Sequence, residues 1–189
     1  MKFILRFLFR AAGWKLAGNI DPGLRKAIFA VAPHWSNTDF FIGLGVRAVL
    51  NRKIAYLGKA ELFRPPFGFI FRALGGIPVY RSEKNNLVES SVEAIKGEAD
   101  ALIALAPEGT RKNVQRLKSG FYFIASGAEI PIVMVVFDKE RKEVRIAEPF
   151  YPSGDFEKDM QTRFVPFFET VGGPLKDWVQ NYKNGTFNH

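Results

Sequence analysis

The chain has 189 residues, enough for one domain with a sizeable core, and 47% hydrophobic with 24% charged residues excludes a disordered chain. It has no cysteine, which excludes disulfides, thiolate zinc sites and a cysteine nucleophile. The net charge of +8 points to an anionic partner: nucleic acid, an anionic membrane surface or a phosphorylated substrate. Nineteen Phe against five Tyr and three Trp supply apolar area without a polar handle, which suits a large core, a greasy binding surface, or both.

Residues 1–17, MKFILRFLFRAAGWKLA, are the first feature. Lys2, Arg6 and Arg10 recur every four residues and make one narrow basic stripe on a helix, while Phe3, Ile4, Phe7, Leu8, Ala11 and Trp14 cover the rest. The basic residues interrupt the run, so neither a spanning helix nor a signal peptide fits. Two readings remain: a helix lying in the membrane interface with Trp14 at headgroup depth, or a helix packed on the core with its stripe in water. The pattern predicts an amphipathic interface segment over residues 1–20 ahead of a single domain over 21–189.

Residues 26–33 read as a buried strand ended by Pro33. A loop over 34–37 leads to a helix opened by Thr38 or Asp39, with Asn37 and Thr38 as capping residues. A second strand spans 53–58. Pro65 and Pro66 start an apolar helix with Phe67, Phe69, Ile70, Phe71 and Leu74, stopped by Gly75 and Gly76. That helix reads as core on one face and as a lipid or acyl-chain contact on the other. Strands follow at 77–80, 101–106 and 131–137, with helices at 85–99 and 120–128 between them. The alternating stretch 143–147 reads as an edge strand, and 155–171 and 175–182 as helices. Alternating strands and helices predict an α/β fold: one domain with a largely parallel central sheet flanked by helices, behind an amphipathic N-terminal helix.

In such a sheet ligands gather beyond the carboxyl ends of the strands. There the sequence places His34 to Asp39, then Arg81, then Glu108, Gly109, Thr110 and Arg111. The only other histidine, His189, is the last residue, so any imidazole chemistry falls to His34. On a regular helix five residues turn by about 500°, leaving His34 and Asp39 about 140° apart. The pair meets only if His34 lies in the loop and Asp39 in the first helical turn. The carboxylate then accepts from one ring nitrogen and leaves the other as a base. A histidine near an aspartate is also a common structural pair, and spacing alone does not separate the two. With no G-x-S-x-G and no cysteine, direct acyl transfer to a bound hydroxyl is the simpler scheme. The letters G-x-G-x-x-A at Gly43–Ala48 fall inside a helix and do not make a dinucleotide site. No metal site and no nucleic-acid motif stand out.

Four ordered stretches together resemble the glycerolipid acyltransferase family, the lysophosphatidic acid acyltransferases and their relatives. They are the H-x4-D block His34-Trp35-Ser36-Asn37-Thr38-Asp39, the block Gly75-Gly76-Ile77-Pro78-Val79-Tyr80-Arg81, the block Pro107-Glu108-Gly109-Thr110-Arg111, and the apolar strand Ile130-Pro131-Ile132-Val133-Met134-Val135. Lys59-Ala60-Glu61-Leu62 also looks like the family's, and the resemblance covers about residues 27–137. Met134 stands where a second proline is common, and Trp35 and Thr38 vary the first block.

The resemblance implies that His34 is the general base, oriented by Asp39, and that the acceptor hydroxyl attacks the thioester of acyl-CoA or acyl-carrier protein. It implies that Arg81, Glu108, Gly109, Thr110, Arg111 and Lys59 bind the phosphoglycerol end of a lysophospholipid acceptor, and that Pro131 shapes the wall near the acyl donor. No cofactor beyond that co-substrate, no metal and no nucleic acid are expected. The implied product is phosphatidic acid; another lysolipid, an aminolipid or a glycolipid are alternative acceptors, and a non-catalytic membrane-binding module is the alternative to an enzyme. The family's pair of membrane helices before the first block has no counterpart in the short N-terminal segment. The expectation is a peripheral, monotopic protein at the cytoplasmic face of an anionic membrane.

Overall fold

A computed structural model describes residues 2–79 and 87–186. Helix α1 (Lys2–Ala11) leads into a short strand β1 (Lys15–Ala17), followed by β2 (Lys26–Val31), α2 (Thr38–Leu50) and β3 (Ala55–Lys59). A 3-10 turn at Ala60–Phe63 precedes α3 (Gly68–Ala73), β4 (Gly76–Val79), α4 (Leu87–Gly97) and β5 (Ala101–Leu105). Next come α5 (Gly120–Ala128), β6 (Ile132–Asp138) and β7 (Glu143–Ile146). The C-terminal part carries α6 (Phe156–Asp159), a π-helical turn at Met160–Phe164, α7 (Val165–Phe168) and α8 (Asp177–Lys183).

The strands form one sheet in the order β1-β7-β6-β2-β5-β3-β4. The five strands from β6 to β4 run parallel; β7 pairs antiparallel with β6, and β1 lies parallel to β7. β2 and β6 are apolar on both faces because helices cover both sides. On one face Phe29, Val133, Val135 and Phe137 pack against Phe9 of α1 and Ile42 and Val46 of α2. On the other, Ile28, Ala30, Ile132 and Met134 pack against α4, α5 and the C-terminal helices, including Phe164, Phe168 and Trp178.

The prediction of a largely parallel α/β sheet holds, with two corrections. The stretch 143–147 is not an edge strand, since β1 lies outside it. Its alternation arises because Val144 and Ile146 turn to one core while Arg145 faces the opposite way, toward Asp138 and Thr170. Three residues of β1 are too few to show a period of two, so they read as the end of the N-terminal helix. The helix over 155–171 is interrupted at Met160–Phe164, just ahead of Pro166, which has no N–H to offer the ladder.

The N-terminal helix packs on the core through one residue and leaves its other large apolar residues exposed. Phe9 is buried at 6% exposure and presses on Gly45 of α2, where a Cβ would sit 2.5 Å from its ring. Phe3, Ile4, Phe7 and Leu8 stay exposed, beside the exposed Lys2, Arg6 and Arg10. Trp14 lies past the end of α1 and stacks at 6.2 Å on Phe9, so it belongs to the packing of the segment on the core. Among the described residues, no helix is long and apolar enough to cross a membrane.

Candidate active site

β2 is flanked by β6 and β5, and the chain crosses to opposite sides of it: β2 proceeds through α2 toward β3, whereas β5 proceeds through α5 to β6. Connections leaving in opposite directions open a crevice at the carboxyl end of the sheet. Three adjacent strands end there, with His34 beyond β2, Glu108 beyond β5 and Lys139 beyond β6.

His34 lies in the loop and Asp39 in the first turn of α2, the arrangement in which the pair can meet. His34 Nδ1 is 2.7 Å from Asp39 Oδ2. The carboxylate also accepts from the amides of Trp35 at 2.9 Å and Ser36 at 3.1 Å. Lys139 Nζ lies 2.7 Å from the other oxygen, Oδ1. Burial pushes the Asp39 carboxyl up, but hydrogen bonds from His34, Lys139 and the two amides outweigh it and hold the group well below the usual carboxylate range. Asp39 is therefore an acceptor only. A neutral imidazole that donates from Nδ1 to it has its lone pair on Nε2, and the side chain is 25% exposed. The expected caps are absent: Asn37 makes no side-chain cap hydrogen bond, and Asp39 instead reaches back to the loop amides.

A second, deeper set of contacts holds the backbone of His34. The Glu108 carboxylate accepts from the His34 amide at 3.1 Å and from the Trp178 indole at 3.1 Å. It is also ion-paired with Lys176, and both side chains are fully buried. Lys176 Nζ donates to the His34 carbonyl at 2.7 Å and the Lys112 carbonyl at 3.1 Å, and lies 4.6 Å from the centre of the Trp35 ring. The histidine is thus held at both its N–H and its C=O by one buried pair. Burial pushes the Glu108 carboxyl above its ordinary value, against the pull of Lys176 and the two N–H donors.

A groove of about 2560 Å³ runs along this end of the sheet and is lined by His34, Asp39, Lys59, Gly109, Thr110 and Arg111, with Phe40, Leu62 and Ile70 among its apolar walls. Lys59 and Arg111 are exposed on it. Gly109 has φ +65°, and a Cβ there would come within 2.9 Å of the Lys118 side chain. The Thr110 hydroxyl accepts from the Lys112 amide at 3.3 Å, which shapes the turn. Glu108 borders the groove, but its side chain is fully buried and both its oxygens are taken by His34, Trp178 and Lys176. Pro131 sits buried at the amino end of β6, where its carbonyl accepts from Ile28, at the opposite end of the sheet from His34. It does not wall the groove. Arg81 lies outside the described residues.

Lys139 and Lys176 were not legible as site residues. Lys139 lies four residues past the fourth block, directly after the end of β6, a weak signal. Lys176 is 142 positions from His34 in sequence and carries no motif.

The model of the family described as Acyltransferase matches residues 19–138, nearly two thirds of the chain. No curated protein matches the sequence. The fold is similar to the crystal structure of the 1-acyl-sn-glycerophosphate (LPA) acyltransferase PlsC from Thermotoga maritima, with a TM-score of 0.58 and 20% identity over 92% of this chain and 81% of that one.

Proposed function

Because this chain belongs to the acyltransferase family, we propose that it transfers a fatty acyl group from acyl-CoA or acyl-carrier protein to the free hydroxyl of lysophosphatidic acid, giving phosphatidic acid, with His34 as general base. The observation that carries this reading is the 2.7 Å contact between His34 Nδ1 and the buried Asp39, beside a groove that the imidazole also lines.

In the proposed step Nε2 takes the proton of the acceptor hydroxyl as its oxygen attacks the thioester carbonyl. The imidazolium that forms is stabilised by the carboxylate on Nδ1. The tetrahedral intermediate collapses by breaking the C–S bond, and the leaving thiolate recovers the proton from Nε2. Base catalysis of this kind contributes roughly 10²- to 10⁴-fold. No side-chain nucleophile is needed. The serine hydroxyl of the same loop, Ser36 Oγ, contacts Thr38, Asp39 and Lys139 instead of the imidazole. Among the cations that line the groove, Lys59 and Arg111 are assigned to the acceptor phosphate, and Arg111 can bind it with two parallel hydrogen bonds.

The acceptor is delivered from a membrane in this reading. Phe3, Ile4, Phe7 and Leu8 on α1 are exposed at 54–87%, and Phe67 and Phe69 at 64% and 70%. Phe41 and Ile70, also exposed, line the groove itself, so apolar surface continues into the site. Together with the +8 charge this fits a peripheral protein at an anionic, cytoplasmic membrane face.

The test offers the purified chain acyl-CoA or acyl-carrier protein with a panel of lysophosphatidic acid, other lysophospholipids, an aminolipid and a glycolipid, and follows free thiol. Fastest release with lysophosphatidic acid, with phosphatidic acid found by mass spectrometry, supports the reading. A faster alternative acceptor replaces lysophosphatidic acid, and no release with any acceptor overturns the proposed chemistry.

A further inference from the structure

The assignment of His34 as base leaves one charged neighbour without a part. Lys139 follows the last residue of β6 and reaches back to the His34 loop. Its ammonium lies 2.7 Å from Asp39 Oδ1 and donates to Ser36 Oγ at 2.9 Å. The two carboxylate oxygens divide their partners unequally. Oδ2 accepts from the imidazole and from two backbone amides. Oδ1 is held by Lys139 and, more weakly, by the Ser36 hydroxyl at 3.4 Å. Lys139 is therefore the principal hold on one end of the carboxylate, and it comes from a different strand than the loop that holds the other end.

Resting on the reading of His34 as base, we propose that Lys139 is a positioning residue for acyl transfer: pinned from β6, it fixes the plane of the Asp39 carboxylate so that Oδ2 stays on Nδ1 and Nε2 faces the groove. A carboxylate anchored on one oxygen alone can rotate about its last bond, and the imidazole turns with it. Errors of about 1 Å in the placement of a reacting group can cost about 100-fold in rate. Two observations separate this role from substrate binding. His34 and Asp39 line the groove, and Lys139 does not. The ammonium is also already engaged by Asp39 and Ser36. A positive charge so close to the pair opposes the imidazolium formed during reaction, so the benefit of Lys139 lies in orientation. Arginine, which reaches the same oxygen with a rigid fork, should substitute for it in part.

The test compares Lys139→Met, Lys139→Gln and Lys139→Arg with the parent in thiol-release kinetics, using acyl-CoA and lysophosphatidic acid. The Met and Gln variants are expected to lose roughly 10- to 100-fold in kcat with KM for both substrates within about two-fold, and the Arg variant to recover most of the loss. A second readout needs no turnover. The chain has two histidines, so His189→Gln leaves His34 as the only imidazole for ¹⁵N NMR. The parent should show one tautomer with the proton on Nδ1, and Lys139→Met a mixture. Unchanged kcat in folded Lys139→Met, a rise in KM alone, or loss of kcat with the Nδ1–H tautomer intact each overturns the proposal. His34→Ala in the same assay separates the two failures. If it retains full activity, the base assignment itself is wrong; if it is inactive while Lys139→Met is fully active, only the role of Lys139 falls.

Discussion

Replacing Lys176 by Met removes the cation beneath the His34 loop while keeping most of the side-chain volume. Lys176 and Glu108 are both fully buried, so the substitution leaves a carboxylate without its charge partner. The His34 and Lys112 carbonyls lose a donor at 2.7 and 3.1 Å. Breaking one side of a buried ion pair costs roughly 3–5 kcal/mol. For a domain of this size each kcal/mol lowers Tm by about 2–4 °C, so a fall of roughly 10 °C is expected in thermal unfolding followed by circular dichroism. The deficit also has a pH signature. Burial holds the Glu108 carboxyl above its ordinary value of 4.5 even with Lys176 present, and more so without it. A group whose folded value is raised contributes its stability below the unfolded value and loses it as pH rises. The gap between variant and parent should therefore be widest near neutrality and narrow as pH falls toward 4.5. Adding Glu108→Gln should restore part of the loss, since the two residues are in contact and their effects do not add. A Tm within about 2 °C of the parent, or fully additive single variants, would refute the view that this pair holds the loop.

Three further outcomes are expected. The depressed Asp39 carboxyl contributes stability that is present above its unfolded value of 3.8 and is lost as pH falls through the folded value. Asp39→Asn should therefore be less stable than the parent near neutrality, with the difference shrinking once pH drops below 3.8; denaturant titrations at several pH values check this, and a constant difference contradicts it. Gly45→Val drives two methyl groups into Phe9, whose ring already lies 2.5 Å from an ideal Cβ. Overpacking of this kind costs about 1–3 kcal/mol and should appear as a lower Tm with added proteolysis at α1, whereas unchanged protection of α1 would show that Phe9 is not its anchor. Phe3→Asp with Phe7→Asp should release the protein from anionic vesicles in co-sedimentation without altering its Tm, since both side chains are exposed; unchanged sedimentation would remove α1 from the membrane contact.

The architecture was readable because its central strands are continuous apolar runs of five to seven residues, broken by proline and glycine and separated by helical periodicity. Pro33 marked the end of β2, and Gly75 and Gly76 the end of α3. β1 escaped because three residues hold no period, and β7 was misplaced because alternation reports which faces are covered and not which neighbours a strand has. In the site, His34 and Asp39 could be paired from spacing and a capping argument, although the capping runs from Asp39 to the loop. Glu108 was identified by its motif but its ion pair was not, since the partner Lys176 sits 68 residues away, just before α8. Lys139 and Lys176 reach the site only through tertiary placement, and a lone lysine carries no local pattern to announce it. Membership of a block did not reveal that Pro131 lies at the amino end of β6, since a motif does not say which end of a strand it occupies.

The most direct test of acyl transfer by the His34–Asp39 pair is the rate of thiol release from acyl-CoA with lysophosphatidic acid by the folded His34→Ala variant, measured beside the parent and Asp39→Asn. Loss of at least about 100-fold in kcat for His34→Ala, with a smaller but clear loss for Asp39→Asn and KM little changed, is the expected result. Full activity in folded His34→Ala would contradict the assignment of the base, however close the imidazole lies to its carboxylate.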